Sequence, residues 1–195
     1  MLSVFYAILP NEKIEKTGII ERDKEIFEAS NEKVKRQKYF AWKLLLKGLT
    51  TLNFNTEDLD FAKSSTGKWT SSKVEFSISH CENLVVVAIS DTPVGVDVER
   101  LKAIDVKLSN RILNDSEMQE FVKLDDSDKQ SYLIKKWTQK ESVFKCKNLS
   151  VLRYKELQLD ENTLTSKKLE IDDKTYFLTV CHSKDLIANF EYISL

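Results

Sequence analysis

The chain has 195 residues, 42% hydrophobic and 31% charged, with four Gly and two Pro. This composition fits one compact domain or two small packed halves and excludes a fibrous or disordered chain. Thirty basic against thirty-one acidic residues leave a net charge of -1, so nothing demands nucleic acid or another extended polyanion.

Met1 to Leu9 is apolar, short and alternating, without a basic leader, which predicts a strand rather than a signal peptide. No apolar run approaches a membrane span. Cys81, Cys146 and Cys181 are odd in number and widely spaced, matching neither a disulfide framework nor a zinc pattern. A cytoplasmic protein with reduced thiols and no membrane partner is expected.

In chain order, Leu2 to Leu9 reads as a first strand, closed by Pro10-Asn11, and Glu12 to Phe27 as a charged segment of helical character. Ser30 or Asn31 can cap a helix from about Glu32 to Leu49, in which Val34, Tyr39, Trp42, Leu45, Leu46 and Leu49 recur near helical spacing. Around that stripe, Arg36, Lys38, Lys43 and Lys47 read either as a solvated face or as part of a phosphate clamp. Thr56 opens a short helix to Phe61, and Lys63 to Ser72 is the most loop-like stretch, too irregular for a Walker loop. Val74 to Ser79, Leu84 to Ser90 and Val94 to Arg100 follow as strands on short turns, a pattern that predicts an antiparallel meander.

Beyond Arg100, Ile104 to Leu113 is periodic, Asn114-Asp115-Ser116 can cap a helix to about Leu124, and Ser127 starts a long helix. Four strands are expected at Leu152 to Leu159, Thr163 to Ile171, Thr175 to His182 and Leu186 to Ser194. Phe76 to Ile89 is weakly similar to Phe177 to Phe190, which suggests two similar α+β halves, residues 1–93 and 94–195, with a site between them.

Two stretches carry the chemistry. In Val94-Gly95-Val96-Asp97-Val98-Glu99-Arg100 the valines fall on one strand face and Asp97 and Glu99 on the other. In Trp137-Thr138-Gln139-Lys140-Glu141-Ser142-Val143-Phe144-Lys145, helical spacing aligns Trp137, Glu141 and Lys145 on one stripe. An isolated D-x-E is ordinarily a solvated pair, and a Lys-Glu pair on a helix ordinary decoration. If the helix crosses the strand, however, three carboxylates meet beside a lysine, a donor set suited to magnesium and a diphosphate. His80, at the end of a strand beside Ser79, can donate to a phosphate oxygen; His182 has no such neighbours.

Phe76-Ser77-Ile78-Ser79-His80, the Gly95 to Glu99 stretch and the Trp137 to Lys145 stretch together resemble the three signatures of the 4′-phosphopantetheinyl transferases, in their order and intervals. The likeness is to the Sfp-type branch, in which two similar α+β halves form a pseudo-dimer within one chain. It implies transfer of the phosphopantetheine arm of coenzyme A to a serine of an apo acyl or peptidyl carrier protein, with release of 3′,5′-ADP. Carried over by position, Asp97, Glu99 and Glu141 are the magnesium ligands, Lys145, His80 and Ser79 the phosphate contacts, and Glu141, directly or through a water, the base. Lys68, after Gly67, falls on the nucleotide loop, and Lys38, with Arg36 as the alternative, at the 3′-phosphate. Trp69 stands where the family commonly has proline, and Lys147-Asn148-Leu149-Ser150 lacks the usual glycines. A monomer is expected. The competing readings are an inactive carrier or coenzyme A binding module of the same fold and a metal-dependent nuclease, the latter disfavoured by Arg100-Leu101 where a strand lysine would stand.

Overall fold

The computed structural model describes residues 1–103 and 105–195. It is an α+β protein built on two sheets, each flanked by one long helix. The first segment contributes β1 (Leu2–Ile8), α1 (Ile20–Phe27), α2 (Glu32–Thr51), β2 (Ala62–Lys63), β3 (Trp69–Thr70), β4 (Glu75–Cys81) and β5 (Leu84–Ser90). The second contributes β6 (Gly95–Arg100), α3 (Ser109–Ile112), α4 (Asp115–Phe121), α5 (Asp126–Cys146), β7 (Leu164–Ile171), β8 (Lys174–Cys181) and β9 (Asn189–Tyr192).

The larger sheet has the order β4-β5-β1-β9 and the smaller β6-β8-β7, with β2 and β3 forming a separate two-stranded ribbon. Every residue of β5 is buried, because both faces of this strand are covered. Val85, Val87 and Ile89 pack with Trp42, Leu45 and Leu49 of α2, while Leu84, Val86 and Ala88 meet Val96, Val98, Leu178 and Val180 of the second sheet. A strand sandwiched in this way must be apolar at successive positions, which explains its uninterrupted Leu-Val-Val-Val-Ala-Ile run. Helix α2 starts at an Asn31 cap whose side chain accepts from the Val34 amide, satisfying one of the unpaired donors of the first turn.

The two halves share a topology. In each, a strand is followed by a long helix and a hairpin whose last strand lies in the middle: β1, α2, β4, β5 in the first, and β6, α5, β7, β8 in the second. Both middle strands pair antiparallel with both neighbours in these three-strand units. The correspondence is therefore β4 with β7 and β5 with β8, not the match of Phe76 to Ile89 with Phe177 to Phe190. Strand β9 instead pairs in parallel with β1.

Several expectations need correction. The three-strand meander does not form: β4 and β5 are a hairpin, but β6 leaves them to pair with β8. In a meander β6 would take the free edge of β5, but β1 already occupies it. The segment expected as a strand from Leu152 to Leu159 holds only a 3-10 turn at Tyr154–Glu156, its leucines filling a cluster with Val143 and Leu164. Helix in the Glu12 to Phe27 stretch is confined to α1, after Gly18 at a φ of 84°, and the helix expected from Thr56 to Phe61 is a single 3-10 turn over Thr56–Asp58. Ile104, the start of the expected periodic stretch, lies outside the described residues. No helix among the described residues is long and apolar enough to cross a membrane.

Candidate active site

The site lies where β4, the edge of the first sheet, runs beside β6, the edge of the second. Side chains replace a backbone ladder there. The Val96 amide donates to Ser77 Oγ at 3.0 Å, the Ser79 hydroxyl to Asp97 Oδ1 at 2.8 Å, and the Arg100 amide to Cys81 Sγ at 3.3 Å. Residues 77, 79 and 81 share a strand face by the period of two, so small polar side chains at alternate positions stitch one half to the other.

Helix α5 crosses β6 and brings Lys145 down on this seam. Its ammonium donates to Asp97 Oδ1 at 2.7 Å, to the Val96 carbonyl at 3.1 Å and to Ser79 Oγ at 3.3 Å. Asp97 is 5% exposed, and its Oδ2 is buried with no hydrogen-bond partner among the described residues. An ionised oxygen left bare in this way is costly unless something positive completes it. Beside it, burial and the charge of Asp97 push the Glu99 carboxyl up; the Cys81 thiol is its weak donor at 3.5 Å. Glu141 is held through one oxygen, Oε1, which accepts from the Tyr154 hydroxyl at 2.5 Å and from Trp137 Nε1 at 3.4 Å.

Asp97, Glu99, Glu141, Lys145, Ser79, His80, Lys68 and Lys38 all line one cleft of about 520 Å³, within the size range of small-molecule sites. The sequence-expected residues thus converge, with one exception. Arg36 is not among the cleft residues: its guanidinium donates to the Pro10 and Glu12 carbonyls and stacks on Phe40. It lies two positions before Lys38, about 200° around a helix, so both cannot face one ligand. Lys68 reaches across the seam, donating to the Val94 and Lys145 carbonyls at 3.3 and 3.2 Å, and burial pushes its pKa down. Burial, reinforced by Lys145, does the same to His80, so its imidazole is biased toward the neutral form.

The far end of the cleft holds a cluster absent from the motif reading. Glu25 of α1 accepts from Trp69 Nε1 at 2.8 Å and pairs with Lys38 and Lys63, each at 3.1 Å, and with Arg22 at 3.3 Å. Burial opposes its ionisation, but Trp69, Lys38, Arg22 and Lys63 together hold its carboxyl at about 2. Arg22 is almost fully buried and lies over Trp42. The Trp69 ring, where the family commonly has proline, is therefore part of this cationic wall. Tyr154 was missed for a different reason: it comes from an irregular segment, and no local pattern marks it.

Among the described residues no ready-made group of three His, Cys, Asp or Glu holds a metal. The donors nonetheless suit a hard cation that keeps several waters and takes only one or two carboxylates plus substrate oxygens: Asp97 Oδ2 is bare, Glu99 has one weak donor, and the hydrogen bonds to Glu141 all go to Oε1.

The chain thus sets two helix-backed sheets around an acidic, lysine-flanked cleft on their seam. A sequence model of the 4′-phosphopantetheinyl transferase superfamily matches residues 93–192. The chain belongs to that superfamily, in its Sfp-type branch. It is 30% identical over 161 residues to the 4′-phosphopantetheinyl transferase gsp of Aneurinibacillus migulanus, covering 74% of this chain and 65% of that protein. It is 33% identical over 70 residues to psf-1 of Bacillus pumilus, covering 36% of this chain and 30% of the relative. The chain thus spans less than two thirds of the curated relatives it matches. Among solved structures, the holo-[acyl-carrier-protein] synthase of Thermotoga maritima superposes with a TM-score of 0.36 at 19% identity, over 47% of this chain and 63% of that one.

Proposed function

We propose that this protein transfers the 4′-phosphopantetheine arm of coenzyme A to a serine of an apo acyl or peptidyl carrier protein. The observation that carries this reading is Asp97, with one oxygen on Lys145 and the other buried and bare, facing the same cleft as Glu99 and Glu141. Relatives named as 4′-phosphopantetheinyl transferases support it.

Asp97, Glu99 and Glu141 would hold magnesium, which when bound supplies charge neutralisation to the diphosphate. The carrier serine oxygen attacks the β-phosphorus, its proton passing to Glu141 directly or through a water. The bond from that phosphorus to the bridging oxygen breaks, and 3′,5′-ADP departs with the oxygen. Lys145, already aimed into the seam, stabilises charge on the transferring phosphate and can give the departing oxygen a proton. His80 and Ser79 offer further donors, and Lys38 with Lys68 lines the nucleotide end. The two similar halves act as a pseudo-dimer, residues 1–93 and 94–195, in a cytoplasmic monomer. Basic residues on one rim of the cleft dock an acidic carrier surface.

The test is the intact mass of an apo carrier protein incubated with this chain, coenzyme A and magnesium. A phosphopantetheine-sized gain, abolished by EDTA, is expected. No gain across acyl and peptidyl carriers, with coenzyme A still bound, would mark a binding module instead.

A further inference from the structure

We infer that Tyr154 is a positioning residue for Glu141: its phenol holds one carboxylate oxygen so that the other faces the cleft, and buried Lys140 fixes Tyr154 in turn. The inference rests on the transferase reading for the role of Glu141 and on geometry for the rest.

A glutamate on a helix surface turns freely about its side-chain bonds, and ordering it costs entropy. Here Oε1 takes the Tyr154 hydroxyl at 2.5 Å and, more weakly, the Trp137 indole at 3.4 Å. Trp137 lies one turn earlier on α5, at the long end of hydrogen bonding. Tyr154 comes from a separate segment and is the stronger hold. Both donors converge on one oxygen, leaving the other to an incoming cation or proton.

Tyr154 sits on a 3-10 turn with no sheet to fix it. What anchors the turn is Lys140, the neighbour of Glu141 on α5 and 0% exposed. Its ammonium donates to the Tyr154 carbonyl at 3.0 Å, to the Ile112 carbonyl at 2.8 Å and to Glu117 Oε2 at 2.6 Å. Glu117 in turn closes the capping box of α4 with Asn114. All three ammonium protons are thus used, and adjacent residues of one helix grip the two ends of Tyr154: Lys140 its backbone, Glu141 its hydroxyl. The strut explains why a lysine is kept in an interior where its charge is expensive.

The experiment compares Tyr154→Phe with the wild type in two assays: magnesium titration by calorimetry with coenzyme A but no carrier, and steady-state transfer. Since a hydrogen bond to a charged group is lost, kcat should fall about tenfold and magnesium affinity several-fold, at an unchanged KM for coenzyme A and with a single cooperative melt showing that the fold is kept. Wild-type magnesium affinity and kcat in the variant would overturn the inference. So would a loss confined to the KM for coenzyme A, which would make Tyr154 a substrate contact. If the wild type itself transfers nothing, the transferase reading fails, while the magnesium titration still decides the role of Tyr154.

Discussion

Glu99 shows at residue scale how the site sets stability against function. Burial, with Asp97 beside it, raises its pKa above the ordinary carboxylate value, and its one close donor is a thiol itself pushed up to about 12 by burial and by Glu99. A carboxyl whose folded pKa exceeds its unfolded value contributes most stability below the unfolded pKa, and loses it as pH rises through the folded one. At neutral pH the Glu99 carboxyl therefore destabilises the metal-free fold. Glu99→Gln should melt higher than the wild type at pH 7 without magnesium, with the gap closing as pH falls toward 4.5, and should lose magnesium-induced stabilisation. A thermal melt across that range decides it; a variant melting lower at pH 7 would mean the charge is already compensated. The alternation that sets Asp97 and Glu99 opposite the valines was legible in the sequence. The hydroxyl and ammonium on Asp97 were not, because they arrive from residues 18 and 48 positions away.

At the scale of elements, the site depends on how closely α5 lies on β6. A Cβ added to Gly95 would come within 2.0 Å of the Ser142 carbonyl oxygen and 2.5 Å of the Cys146 amide, both backbone atoms of the helix that carries Glu141 and Lys145. No side-chain adjustment relieves that clash, so Gly95→Ala must push the helix off the strand. A loss of about 3 kcal/mol or more is expected, read as a lower denaturant midpoint; an unchanged midpoint would show that the helix can ride higher. The long elements could be read from the chain because each follows a local rule: the stripe of α2, the apolar run of β5, the Trp-to-Lys spacing of α5. Pairing partners follow no local rule. The short turn at Asp91 to Pro93 looks like a hairpin, yet β6 opens the second sheet, because β1 already fills the other edge of β5 and the backbone partner of β6 is β8, much later in the chain. Leu152 to Leu159 misled for a related reason, its leucines serving a cluster under α5 rather than a sheet face.

For the whole molecule, the last strand decides whether the halves behave as one body. Strand β9 follows the second sheet in sequence but completes the first, pairing with β1 from Ser3–Asn189 to Tyr6–Tyr192. Phe190 packs against the core between the sheets, while Ile193 and Leu195 pack on the α2 side, and Lys167 of β7 lies over the Phe190 ring. The strand thus ties both sheets and α2 together, in addition to the β4–β6 seam. One cooperative transition is expected, with tryptophan fluorescence and far-ultraviolet circular dichroism coincident. Removing residues 189–195 strips three partly buried apolar side chains, a loss of about 3 kcal/mol, and exposes β1 as an edge. The melting temperature should drop by roughly 6 to 12 °C for a chain of this size. A truncated protein melting like the full chain would show that the seam alone couples the halves; two separated transitions would show that β9 is what makes them unfold together.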